Sequence, residues 1–105
     1  MGKGGRYIPI SVPREKFPNI NEIWGYGPNT IVVNTNDGRC IKITAAKNIR
    51  SGGTSIYYSE YEEMKEIQVG DKTIRVWVVA DYPWREGETI EQCLLEALVF
   101  VDRSY

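Results

Sequence analysis

Four cations fall within twelve residues that contain no acid: Arg39, Lys42, Lys47 and Arg50. Cations at this density can follow the phosphates of a single nucleic-acid strand while nearby rings stack its bases. Tyr57, Tyr58, Tyr61 and Trp77 are rings of the right kind. The stretch lies in the basic part of a dipolar chain. Residues 1–58 carry eight basic and three acidic side chains, whereas residues 59–105 carry five basic and eleven acidic ones. Such asymmetry means either a basic face that meets a polyanion or a basic half that meets an acidic half. The expectation is a surface for single-stranded nucleic acid or another polyanion. Its contacts would be Arg39, Lys42, Lys47 and Arg50, with Tyr57 and Trp77 as stacking rings. The competing reading is a solvated strand face followed by an ordinary loop. The net charge of −1 argues against strong non-specific DNA binding.

Other chemistry is poorly provided for. There is no histidine, which removes the usual general base at neutral pH and the usual transition-metal ligand. Ser-His-Asp and Cys-His catalysis are excluded. Cys40 and Cys93 are far apart and show no metal-ligand spacing. Ser51-Gly52-Gly53-Thr54-Ser55 lacks the Gly-Lys-Ser/Thr of a phosphate-binding loop. Glu60, Glu62, Glu63 and Glu66 lack the alternating oxygen ligands of a calcium loop. The chain reads as non-enzymatic, with no cofactor and no metal.

Apolar surface supplies a second theme. Trp77 and Val79 face away from Ile74, Val76 and Val78, and one helix cannot cover both sides. Leu95, Val99 and Phe100 lie partly outside the core stripe of that helix. Contiguous exposed apolar surface marks an interface. A homodimer is therefore expected, through Leu95, Val99 and Phe100 or through the Trp77 face. The alternative function follows from it: a protein-interaction or oligomerisation module using an apolar helix and a tryptophan face.

The elements that carry these residues can be read in part. Tyr7 to Val12 alternates as a strand, placed at an edge by Pro9. Residues 14–29 read as irregular, with a short helical turn around Ile20, Ile23 and Trp24. Trp24-Gly25-Tyr26-Gly27-Pro28 reads as a loop plugging the core. Thr30 to Thr35 and Arg39 to Ala45 form a hairpin. A three-residue loop with left-handed Gly38 sets Ile31 and Val33 beside Ile41 and Ile43, giving one clean apolar face. Residues 46–55 read as a flexible connection, and Ile56 to Tyr61 as a strand. A primed turn at Gly70-Asp71 joins Met64–Val69 to Lys72–Ala80, pairing Ile67 with Ile74 and Glu66 with Arg75. The tyrosine-rich strand does not keep parity with the one after it, Ile56 and Tyr58 falling on even positions and Ile67 and Val69 on odd ones, which predicts a bulge or break near Glu60–Glu63. Residues 81–87 read as a loop. Thr89 caps a helix over Ile90 to Val101.

The expected fold is a single α+β domain over residues 1–105: an antiparallel sheet of five or six strands with one C-terminal helix packed on a face. Residues 1–5 read as a disordered tail. No apolar run approaches a membrane span, and no secretory signal is visible, so an intracellular, cytoplasmic protein is expected. Scarce glutamine with abundant Ile, Val, Tyr and Glu leans toward a thermophilic source.

Overall fold

The computed structural model describes residues 6–49, 53, 55–81 and 84–104. Two hairpins set the registers. Asn36-Asp37-Gly38 joins β3 (Thr30–Thr35) to β4 (Cys40–Ile49). Gly38 has φ +90°, which admits a left-handed turn that other residues resist. Ile31 therefore sits opposite Ile43 and Val33 opposite Ile41, as expected. Gly70-Asp71 joins β5 (Ser55–Val69) to β6 (Lys72–Val79). Gly70 alone has positive φ there, as a II′ turn requires. Ile67 pairs with Ile74 and Glu66 with Arg75.

Before these lie β1 (Tyr7–Ile10) and β2 (Ile20–Tyr26). The sheet is antiparallel in the order β1 to β6, and the short β7 (Arg85–Gly87) pairs with β5. The helix α1 (Ile90–Arg103) follows, capped by the Thr89 hydroxyl, which accepts from Gln92 N–H. It packs over β4, β5 and β7. The core between helix and sheet contains Phe17, Ile20, Ile23, Val33, Ile41, Ile43, Tyr61, Ala97 and Val101. Tyr61 anchors it by donating its hydroxyl to the Ala97 carbonyl. Buried Asp102 ties the helix end to the segment before β2: its Oδ1 accepts from Asn19 N–H at 2.9 Å.

Three sequence expectations are corrected. Residues 20–26 are a strand, not a loop, and the turn lies earlier, where Lys16 and Phe17 donate to the Pro13 carbonyl. The register shifts between Ile20 and Glu22, so Asn21 is bulged. The bulge puts Ile20 and Ile23 on one face, a three-residue spacing that imitates a helix. Gly25 fits within the strand because Ile10 Cδ1 would lie 3.1 Å from a Cβ there. Second, β5 is unbroken across fifteen residues, and its pairings with β4 and β6 keep constant registers. No change of face occurs: Ser59 and Tyr61 turn toward the helix side on the same parity as Ile67 and Val69, and Ile56 and Tyr58 lie on the opposite side. Third, residues 85–87 form β7 and 46–49 extend β4. The tail at 1–5 lies outside the described residues.

The β5–β6 hairpin runs beyond the helix. Ile67, Val69 and Ile74 are exposed along it. The radius of gyration is 15.1 Å, against about 13 Å for a compact chain of this length. No helix among the described residues is long and apolar enough to cross a membrane.

Candidate functional site

Strand alternation distributes the expected basic contacts over both sides of the sheet. Lys42 lies on the open face, away from the helix. Its Nζ is 2.9 Å from Glu62 Oε2 and 5.1 Å from the Trp77 ring centroid. Arg39 lies on the helix side, with Nε 2.8 Å from Glu63 Oε1. Its guanidinium also reaches Ser104, just past the helix. Lys65 Nζ meets the same carboxylate at 2.6 Å. The hydrogen bond from Lys65, with Arg39 beside it, holds the Glu63 carboxyl below the usual carboxylate range against the effect of burial. Lys47 is exposed at the other end of β4, opposite Tyr57. Arg50 lies outside the described residues. The structure thus does not gather Arg39, Lys42 and Lys47 into one patch, and two of them are already neutralised.

The rings are likewise separated. Tyr57 is half-buried beside Thr89 and Ile90 at the helix start. Trp77 is half-buried on the open face and lines an apolar depression with Tyr7, Trp24 and Val32. Trp84 is not part of that depression; its ring packs edge-on against Tyr58, with centroids 4.4 Å apart. The open face also carries Glu22, Glu60, Glu62 and Glu66 against Lys42 and Arg75. It is aromatic and acidic, which repels phosphate.

A different site emerges along the outer flank of α1. Leu95, Val99 and Phe100 line a groove there with Lys16, Arg85, Arg103 and Glu96. Three elements build it. Lys16 comes from the turn before β2, Arg85 from β7, and the rest from successive turns of the helix. The Arg85 guanidinium lies 4.6 Å from the Phe100 centroid, and Phe100 packs edge-on against Tyr61 at 5.5 Å. The Arg85 Nε is buried with no hydrogen-bond partner among the described residues. No carboxylate pairs with Lys16, Arg85 or Arg103 among the described residues. Among the described residues, the groove therefore holds three cations against the single carboxylate of Glu96. Sequence reasoning found its apolar strip, Leu95, Val99 and Phe100, but missed Lys16, Arg85 and Arg103. They lie in three separate segments, so no local density marks them.

Neither thiol is activated. Burial pushes both Cys40 and Cys93 up. They are free, one on the open face of β4 and one under the helix. Comparison with protein-family models, curated proteins and solved structures finds no match to this chain.

Proposed function

We propose that this chain is a non-enzymatic protein-interaction module that receives an acidic, apolar segment of a partner along the outer flank of α1. The observation that carries the reading is the cluster of Lys16, Arg85 and Arg103, without acidic partners among the described residues, around an apolar strip. Arg85 is half-buried, and a half-buried cation lacking a counter-charge is costly, so a carboxylate docked beside it offsets that cost; Lys16 and Arg103 are exposed and add longer-range attraction. Leu95, at 45% exposed, together with Val99 and Phe100 supplies apolar contact for the same segment. Nucleic acid fits less well. The groove's ring, Phe100, is already sandwiched by Arg85 and Tyr61, and the tryptophans sit on the opposite, acidic face.

The test is fluorescence anisotropy with a labelled short peptide alternating Glu with Leu and Phe. Its controls are the same peptide with Lys for Glu and an oligothymidine of similar length. The acidic peptide should bind, and binding should weaken as salt rises. Arg85→Gln or Arg103→Gln should each weaken it by roughly 1 kcal/mol, about fivefold in Kd. Amide shifts on titration should centre on Leu95, Val99 and Phe100. An acidic peptide that binds no better than its Lys counterpart at low salt would refute the reading. Oligothymidine binding that depends on Arg85 and Arg103 would replace it with the nucleic-acid one.

A further inference from the structure

The two edges of the sheet are not alike. At one, β1 is short and contains Pro9, which cannot donate to another strand. At the other, β6 is eight residues long, without proline and without a register shift. Long, regular edges of this kind are templates for strand addition unless something blunts them. Among the described residues, no strand pairs with the outer side of β6.

Which backbone groups point outward follows from the turn. A two-residue loop makes Val69 and Lys72 a hydrogen-bonded pair, and bonding then alternates along the ladder. Ile74, Val76 and Val78 turn their backbone toward β5. Ala80 continues the pattern, its N–H donating to the Tyr61 carbonyl at 3.3 Å. Thr73, Arg75, Trp77 and Val79 therefore present N–H and C=O to the free edge. The helix does not shield this side, since it packs over β4, β5 and β7. Val79 is 74% exposed, and Ile74 and Val78 are exposed as well.

We propose that a second copy of this chain pairs antiparallel with β6 through this edge, with Val76 of both copies meeting at the two-fold axis. The argument for a second copy is that the strand is complementary to itself in that register. Thr73 lies opposite the partner copy's Val79, and Arg75 opposite its Trp77, so every outward donor and acceptor from 73 to 79 is matched. Arg75 meets an indole on both sides of the axis, a favourable cation–π arrangement. On the helix side, Ile74, Val76 and Val78 meet the partner copy's Val78, Val76 and Ile74, making one continuous apolar row. Neighbouring registers do worse. An axis through Arg75 opposes two guanidinium groups, and an axis through Trp77 shortens the ladder. The pair would explain why the β5–β6 hairpin extends past its own core. It would also join two open faces into one continuous sheet. It uses none of the groove residues and stands independently of the proposed function.

Cysteine cross-linking reads the register directly. In a Cys40→Ser background, with Cys93 fully buried, Val76→Cys places two thiols at a non-hydrogen-bonded pair. Such pairs have Cα atoms about 4.5 Å apart, within disulfide range. Val78→Cys places its two copies roughly 13 Å apart at about 3.4 Å per residue. Mild oxidation should cross-link the first at least tenfold faster than the second. Sedimentation of the wild type at tens of micromolar should give twice 12.0 kDa. Arg75→Pro removes an outward N–H while leaving the ladder to β5 intact, so it should sediment as a monomer with an unchanged far-ultraviolet spectrum. A wild-type monomer, equal cross-linking of the two cysteine variants, or an Arg75→Pro dimer would each overturn the proposal.

Discussion

Gly38→Ala isolates the cost of one backbone conformation. Gly38 has φ +90°, and a Cβ built there meets nothing within 4 Å. Packing therefore contributes neither a clash nor a gain. Forcing an L-residue into the left-handed region costs about 1–2 kcal/mol. The smaller conformational freedom of unfolded alanine returns about 0.4–1 kcal/mol. The net loss should be about 1 kcal/mol, or about 4 °C in Tm for a domain of this length. The loop has little freedom to relax around the change. Thr35 and Arg39 bracket it, with Thr35 N–H donating to the Arg39 carbonyl at 2.9 Å and Gly38 N–H to the Thr35 carbonyl at 3.1 Å. Urea denaturation should show a lower midpoint at an unchanged slope. Gly38→Asn should cost less than Gly38→Ala, because asparagine tolerates left-handed geometry. Gly87→Ala is the contrasting case. There a Cβ would lie 2.7 Å from Gln92 Cγ and 3.2 Å from the Cys93 nitrogen, so the cost is steric, about 1–3 kcal/mol, and asparagine should be worse than alanine. A Gly38→Ala protein as stable as wild type, or one more stable than Gly38→Asn, would refute the turn geometry and the register built on it.

Glu63 links pH to stability. Lys65 and Arg39 hold its carboxyl below the ordinary value, so the carboxylate stabilises the fold above its unfolded pKa. That stabilisation is lost as pH falls through the lower folded value. Urea midpoints should decline from about pH 5 downward, and Glu63→Gln should flatten this acid limb while costing roughly 1 kcal/mol at neutral pH.

Local chemistry in the chain was enough to specify both β-hairpins, their registers, the edge position of β1 and the cap of the helix. Each depends on residues a few positions apart: Gly38 between Thr35 and Arg39, Gly70 before Asp71, Thr89 before Gln92. The strand β2 was hidden because its evidence is not local. A bulge at Asn21 gives Ile20 and Ile23 a helical spacing, and only pairing with β1 and β3 on either side selects the strand. The unbroken β5 was hidden for a related reason. Its odd positions face the helix side throughout, but only Ser59 and Tyr61 lie under the helix, while Ile67 and Val69 on the same face run past it and are exposed, so the apolar pattern did not report burial. The charged residues depended most on tertiary structure. Arg39 and Lys42 form a basic stretch in the sequence, yet the β4–β5 register sets each against a glutamate more than nineteen residues away. Lys16, Arg85 and Arg103 stand alone in the sequence, and packing of the turn, β7 and the helix brings them together. Composition determines how many charges a chain carries. Which of them remain without a counter-charge is decided by long-range register, because Coulomb interactions depend on distance in space and not along the chain.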